Sequence, residues 1–248
     1  MKRAFIRAVW GSESDDWKSD VFSRNRASLD KELVNAAKDN LLTKDDYIVY
    51  VMGENNFSYV ESNNFKCKMV CKEGFMHPSK ESGVISLPKR TWLNKLEILN
   101  SAMMDYDEII YLDWDCKPTQ KIPDDLWDNL SKKREIQAVL VEYKKAKNAP
   151  WRPGRWQKKL VCRGAFIYCR DKTAFKTMLS YEYDKQMGTY WLDETYLAWH
   201  TDKLMGGWTG TESIGKYFEL FEPDCATDRS SILYNRKDQN KIIFKHPL

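Results

Sequence analysis

Short apolar runs alternate with an amphipathic stripe in the first part of the chain. Residues 5–10 and 47–52 are typical of buried strands, and Cys67–Cys71 is a weaker candidate. Apolar side chains at three- and four-residue spacing predict a helix over about residues 24–42. Strands that alternate with helices indicate βαβ units and a mostly parallel sheet.

The centre of the chain has the clearest pattern. Five apolar residues recur at helical spacing and predict an amphipathic helix: Trp92, Leu93, Leu96, Leu99 and Met103. The apolar run EIIYL at 108–112 then predicts a buried strand, and Asp113, Trp114 and Asp115 follow it directly. Ligands of open α/β sheets bind at the carboxyl ends of strands, so we expect this acidic tripeptide at a binding edge.

The second half of the chain predicts shorter and more mixed elements. Strand candidates cover 137–141, 165–169, 217–221 and 241–244, and helix candidates follow Asp171 and cover 193–203. The segment 143–164 contains two prolines and two tryptophans and is predicted to be a loop. The sequence contains no internal repeat. Its length of 248 residues suits a single α/β domain with one sizeable core.

Composition favours a soluble protein of a reducing compartment. No run approaches the roughly 20 apolar residues of a membrane span, and no signal-like segment opens the chain, so we expect a cytoplasmic protein. Six scattered cysteines suit buried thiols in a chain too large to need disulfides. Cys67 and Cys71 lack a second Cys/His pair at zinc-like spacing, which favours core packing over a zinc site.

The charge is distributed unevenly. A net charge of +4 is too small to indicate a nucleic-acid-binding protein. Residues 143–170, however, contain nine lysines and arginines and no aspartate or glutamate. Such a stretch attracts anions, for example a diphosphate, an acidic acceptor or a polynucleotide backbone.

The acidic tripeptide offers the most specific chemistry. Two carboxylates that are two residues apart at a strand end can face one small volume once the chain bends. There their hard oxygen atoms would hold Mn²⁺ or Mg²⁺ against a diphosphate. The alternative is an ordinary polar turn, because aspartate is common in turns.

The segment 92–118 resembles the donor-binding core of GT-A fold glycosyltransferases, in which a helix with a basic residue leads into an apolar strand and an Asp-x-Asp metal motif. The resemblance implies a GT-A-like, Rossmann-like α/β domain over residues 1–248, with a central mostly parallel or mixed sheet flanked by helices. Residues 1–118 would be the donor half and 119–248 the acceptor half. Asp113 and Asp115 would bind metal and donor beside Trp114, and Lys95 would be the basic residue.

Three later features also match the resemblance. Gly164 would let backbone approach the sugar closely. Asp193 and Glu194 stand where the family has an acidic pair at a helix start, and His246 would complete the metal shell. The family order is Glu then Asp, so either residue of this pair could be the catalytic base, and Asp193 could instead cap the helix. A frayed chain end is the alternative for His246.

The remaining donor contacts are what the resemblance in fold implies, because no single residue there has a specific signature. Trp10, at the exit of the first strand, and residues 53–55, at the exit of the second, would meet the base and ribose. The basic loop would fold over the donor, with Arg152, Arg155 or Lys158 on phosphate and Trp151 or Trp156 against a sugar ring.

The sequence therefore predicts a metal-dependent transferase that moves a sugar from a UDP- or GDP-sugar to a hydroxyl of a glycan or another acceptor. An inverting outcome is favoured because a base can be named, but retention stays open. One alternative is a sugar-phosphate nucleotidyltransferase, although GSESDD follows the first strand instead of a glycine-rich basic loop. The other is a non-catalytic module that binds nucleic acid or another acidic polymer; we do not expect a nucleic-acid partner.

Overall fold

The computed structural model describes residues 1–11, 43–74, 93–113, 116–118, 121–132, 135–143, 160–180, 197, 200, 218–221, 231–232 and 244–247. The strands in these ranges are β1 (Arg3–Val9), β2 (Asp46–Met52), β3 (Cys67–Cys71), β4 (Glu108–Leu112), β5 (Lys117–Pro118), β6 (Ile136–Tyr143), β7 (Leu160–Cys169), β8 (Phe218–Phe221), β9 (Ser231–Ile232) and β10 (Phe244–Pro247). The helices there are α1 (Glu54–Ser62), α2 (Leu93–Asp105), α3 (Leu126–Ser131) and α4 (Ala174–Leu179).

Two sheets organise the described part of the chain. The large sheet has seven strands in the order β3-β2-β1-β4-β7-β6-β9, and β5, β10 and β8 form a small second sheet. Strands β3, β2, β1 and β4 run parallel, whereas β7, β6 and β9 each run antiparallel to the neighbour that precedes them in this order. The predicted α/β architecture with a mixed sheet is confirmed.

Side-chain alternation along the strands builds a core on each face of the large sheet. On β1, Phe5 and Val9 point to one face, where they share a cluster with Trp127 of α3 and Val60 of α1. Ala4, Ile6 and Ala8 point to the other face, which α2 and α4 cover. Parallel strands buried on both faces need nearly continuous apolar sequence, which explains the runs in β1, β2 and β4.

The predicted elements match the structure best in the first half. Strands β1 to β4 and helix α2 lie within one or two residues of their predicted positions. The predicted loop over 143–164 is too long, because β7 already begins at Leu160 and pairs with β6. Helices α1 and α3 were not predicted, and the predicted helix over 24–42 lies outside the described residues.

The described residues also show whether any helix could span a membrane and whether the cysteines form disulfides. No helix in the described ranges combines the length and the apolar content that a bilayer span requires. The four cysteines whose side chains are described form no disulfide: Cys116 and Cys169 are buried, and Cys67 and Cys71 are half-buried. Burial raises the pKa of the Cys169 thiol, so this sulfur stays protonated.

Candidate active site

The parallel strands bring their carboxyl ends to one edge of the large sheet. Trp10 follows β1, Gly53 follows β2 and Asp113 follows β4. Strand β1 lies between β2 and β4, in parallel register with both, so these three exits are neighbours. This edge is where open α/β sheets bind ligands.

Asp113 presents a carboxylate at this edge. Its Oδ1 lies 3.2 Å from Nζ of Lys95 and accepts a hydrogen bond of 2.5 Å from the Tyr111 hydroxyl. Within the described residues, Oδ2 accepts no hydrogen bond. The side chain is 26% exposed, so one carboxylate oxygen is held by the protein and the other is available to a ligand.

Lys95 reaches Asp113 from helix α2, and its side chain is only 9% exposed. Its Nζ also lies 5.2 Å from the centre of the Tyr111 ring, in the range of a cation–π contact. An ammonium group loses much hydration when it is buried in this way, so charged partners must stabilise it. The structure thus brings together two of the residues that the sequence predicts to contact the donor.

Arg7 holds the main chain behind Asp113. Its side chain is buried in the sheet, and Nη1 donates hydrogen bonds to the carbonyl of Leu112, at 3.3 Å, and to the carbonyl of Asp113. Its Nε donates to the Tyr47 hydroxyl at 2.5 Å. The sequence analysis missed this residue, and the signal that could have shown it is a lone arginine within the apolar run of β1.

Main-chain contacts also join the exits of β1 and β3. The Gly11 amide donates to the Gly74 carbonyl at 3.0 Å, and Gly11 has a φ of +130°, which L side chains rarely adopt. A Cβ atom added to Gly74 would lie 2.0 Å from the Gly11 carbonyl oxygen. The side-chain amide of Asn56 donates through Nδ2 to the carbonyls of Met52 and Gly11, at 3.0 and 3.5 Å. Both glycines are therefore required for this junction.

Gly164 and Trp10 lie at the same edge. Gly164 is buried in β7, two residues before Phe166, and Phe166 pairs with Leu112 at the end of β4. The pairing of β7 with β6 is irregular here, and β-bulges of this kind often occur beside active sites. Trp10 is half-buried and packs against the core on the α2 face of the sheet.

The second sheet brings the last strand towards the acidic tripeptide. Lys245 of β10 pairs with Lys117 of β5, which begins two residues after Asp115. His246, the next residue of β10, is therefore one step further along the strand in the direction of Cys116. Residues Phe244–Pro247 form a paired strand instead of a frayed end. His200, by contrast, is a core residue: it is almost fully buried, and burial lowers the pKa of its ring.

Several predicted site residues cannot be located. Trp114, Asp115, Arg155, Asp193 and Glu194 lie outside the described residues, and only the backbone of His246 is described. Among the side chains that are described, no three of the His, Cys, Asp and Glu types form a cluster that could hold a metal ion. Asp113 supplies a hard oxygen donor, which fits Mn²⁺ or Mg²⁺, and the other predicted ligands stay predictions.

Comparisons with solved structures identify the fold. An active-site variant of LgtC superposes with a TM-score of 0.52 at 16% identity, covering 100% of this chain and 87% of that chain. The galactosyltransferase LgtC with donor and acceptor sugar analogues gives 0.48 at 16%, with the same coverage of both chains. A glycosyltransferase involved in the glycosylation of the major capsid of PBCV-1 gives 0.48 at 8%, covering 99% of this chain and 92% of that chain. No family model and no curated protein matches the sequence. The likeness to LgtC confirms the predicted GT-A-like fold.

Proposed function

We propose that this protein is a metal-dependent glycosyltransferase that moves a sugar from a nucleotide-diphosphate sugar to an acceptor hydroxyl. The observation that carries the proposal is the partly exposed Asp113 carboxylate, paired with Lys95 at the carboxyl end of β4. In a GT-A-like sheet this is the edge where a ligand binds. Partly buried charged pairs in such places are candidates for function.

The donor would be held by groups from several strands. Oδ2 of Asp113, the Asp115 carboxylate and His246 would hold Mn²⁺ or Mg²⁺. A divalent cation bound there would neutralise charge on the departing nucleoside diphosphate. Lys95 would donate hydrogen bonds to donor oxygens, and Arg155 of the basic segment would meet phosphate. Trp10 and Trp114 would line the donor site.

The junction of Gly11 with Gly74 supports a binding role for the first half of the chain. It closes the exits of β1 and β3 with main-chain atoms alone, which leaves room for a flat base or a ribose to approach. This agrees with residues 1–118 acting as the donor half. The base itself, uracil or guanine, is left to experiment.

The acceptor half would supply the proton chemistry. Asp193 or Glu194 would take the proton of the acceptor hydroxyl as that oxygen attacks the anomeric carbon. Gly164, in the irregular part of β7, would let the main chain approach the transferred sugar. An inverting outcome follows if one of these carboxylates is the base, whereas a retaining outcome would need another arrangement.

A binding and turnover experiment tests the proposal. Melting temperatures are measured with UDP, GDP and other nucleoside diphosphates, with and without Mn²⁺, because a ligand of the folded state raises them by mass action. Nucleotide release from the matching nucleotide sugars is then followed. We expect one base to stabilise the protein only with Mn²⁺, and its sugar nucleotides to be turned over.

Matched variants make this experiment specific. Asp113→Asn should abolish the Mn²⁺-dependent stabilisation, while Asp107→Asn, next to the opposite end of β4, should keep it. Pyrophosphate release from a sugar phosphate and a nucleoside triphosphate would indicate a nucleotidyltransferase instead. If no nucleoside diphosphate stabilises the wild-type protein in Mn²⁺, the proposed function is wrong.

A further inference from the structure

Arg7 is a buried charge in the middle of an apolar strand. Its neighbours along β1, Ile6 and Ala8, belong to the core on the opposite face of the sheet. The side chain of Arg7 is on the face of Phe5 and Val9, where it is 1% exposed. Burial of a guanidinium removes favourable hydration, so the hydrogen bonds that it makes must replace that hydration. Its partners therefore matter more than those of a surface arginine.

Those partners belong to the strand end that carries the acidic tripeptide. The pairing of β1 with β4 ends at Ile6 and Tyr111, one residue before Leu112. Beyond this point the side chain of Arg7 continues the connection, because Nη1 donates to the carbonyls of Leu112 and Asp113. The Tyr47 hydroxyl, from β2, accepts from Nε and fixes the direction of the guanidinium. Three neighbouring strands thus meet at one side chain.

The Asp113 carbonyl also binds the main chain on the far side of the acidic tripeptide. It accepts a second hydrogen bond, of 2.8 Å, from the amide of Cys116. A carbonyl oxygen has two lone pairs, so Arg7 and Cys116 together use its full capacity. The plane of the peptide group that joins Asp113 to Trp114 contains this oxygen. The two hydrogen bonds therefore fix the orientation of the Asp113 carbonyl at the end of β4.

We infer that Arg7 is a positioning residue: by holding the Asp113 carbonyl it sets the geometry in which the acidic tripeptide receives a metal ion and a diphosphate. The inference rests on the proposed function, and it adds a residue outside the predicted ligand set. Groups that orient metal ligands without touching the metal typically change metal affinity about 10- to 100-fold when they are altered. An effect of this size is expected here.

The charge and the geometry of Arg7 act in opposite directions. A guanidinium close to the tripeptide repels a divalent cation, so its charge alone weakens metal binding. Its hydrogen bonds strengthen binding by fixing the ligands. Arg7→Lys keeps the charge but cannot reproduce the planar fork of donors. Arg7→Met removes both the charge and the hydrogen bonds. The two variants therefore separate positioning from electrostatics.

The test measures Mn²⁺ affinity by electron paramagnetic resonance in the presence of the nucleoside diphosphate that stabilises the wild-type protein. We expect Arg7→Lys and Arg7→Met to weaken Mn²⁺ binding about 10- to 100-fold. Arg7→Lys should bind Mn²⁺ no more tightly than Arg7→Met does. Arg3→Met is the matched control. Arg3 is on the same face of β1, but it contacts Glu108 at the other end of β4, so this variant should keep wild-type affinity.

A second readout needs no metal. Hydrogen exchange at the Cys116 amide reports directly on the bond to the Asp113 carbonyl, and we expect faster exchange in both Arg7 variants. Tyr47→Phe removes only the hydroxyl that orients Arg7, so it should fold even if the Arg7 variants do not. For Tyr47→Phe we expect about 3- to 10-fold weaker Mn²⁺ binding, consistent with the loss of the hydrogen bond that orients Arg7.

The outcomes are distinct. The inference is overturned if Arg7→Lys leaves both the Mn²⁺ affinity and the exchange rate of the Cys116 amide unchanged. If the Arg7 variants do not fold, the same two results in Tyr47→Phe overturn it. In both cases the proposed function stays in place. Stronger Mn²⁺ binding in Arg7→Met overturns the inference too, because the charge would then dominate. If the wild-type protein binds no Mn²⁺ with any nucleotide, the proposed function fails and the metal-positioning role fails with it. Exchange at the Cys116 amide still shows in that case whether Arg7 holds the Asp113 carbonyl.

Discussion

Nζ of Lys95 and Oδ1 of Asp113 are 3.2 Å apart, and the lysine side chain is almost buried. The pair joins helix α2 to the end of β4. Removing either partner from a buried ion pair leaves the other charge uncompensated, which is usually more destabilising than the pair is stabilising. In the proposed function, a bound donor would offer Lys95 phosphate or sugar oxygens in addition to the Asp113 carboxylate.

Lys95→Met tests whether this lysine contacts the donor. A charge-assisted hydrogen bond contributes about 1.5–3 kcal/mol, so the affinity for the nucleoside diphosphate should fall about 10- to 100-fold. The measurement is calorimetric titration at fixed Mn²⁺. Lys66→Met is the control, because Lys66 pairs with Asp46 at the opposite edge of the sheet. Equal affinity in Lys95→Met and in wild type would remove Lys95 from the donor site.

Gly74→Ala tests the junction at the exits of β1 and β3. The added methyl group would lie 2.0 Å from the Gly11 carbonyl oxygen, which is a backbone atom, so the two exits must move apart. We expect a loss of about 1–3 kcal/mol in the free energy of unfolding, as for other overpacked sites, and weaker nucleotide binding. Urea titration and calorimetry measure the two effects. Glu73→Ala, at the exposed neighbouring residue, should change neither, and wild-type behaviour of Gly74→Ala would show that the junction is not needed.

Trp127→Ala tests the core on the α3 face of the sheet. The Trp127 ring is buried 5.2 Å from the ring of Phe5, and its Nε1 donates to Asp45 at 2.7 Å. Truncating a buried tryptophan typically costs about 3–5 kcal/mol of unfolding free energy. Urea unfolding should show a loss of this size for Trp127→Ala and a smaller loss for Trp127→Phe. Similar losses for the two variants would assign the effect to the hydrogen bond with Asp45.

The pattern of apolar residues predicted the sheet well and the surrounding helices less well. Strands β1, β2 and β4 are buried on both faces, so their sequences are mostly apolar and easily recognised. Helix α1 was missed because it is mostly polar: of its nine residues, only Asn56 and Val60 are buried. Its position depends on packing against β2 and β3, which a local pattern does not reveal.

The candidate site was predictable where it follows a strand. Asp113 could be placed because β4 is clear and its carboxyl end is a ligand-binding edge. Arg7 could not be assigned a partner, since its contacts with Leu112 and Asp113 join residues 105 and 106 positions apart. Such long-range contacts depend on strand order. The position of His246 also depends on strand order, because the pairing of β10 with β5 brings its backbone towards Cys116.

His200→Gln tests a pH-dependent contribution to stability. Burial lowers the pKa of this ring below its ordinary value of 6.5, so between the two values the unfolded chain binds a proton that the folded protein does not. Stability should therefore be complete above pH 6.5 and fall as the pH decreases from 6.5 to the folded-state pKa. Urea unfolding from pH 5 to pH 8 should show a smaller slope for His200→Gln. A wild-type slope in His200→Gln would assign the dependence elsewhere.

The presence of a metal ion at the acidic tripeptide can be measured directly. A crystal grown with Mn²⁺ and the stabilising nucleoside diphosphate gives an anomalous difference map that locates manganese without assumptions about the ligands. We predict a single strong peak about 2.0–2.3 Å from a carboxylate oxygen of Asp113 or Asp115, with a diphosphate oxygen on its other side. A map with nucleotide bound and no manganese at this edge, or with manganese only elsewhere, would contradict the account.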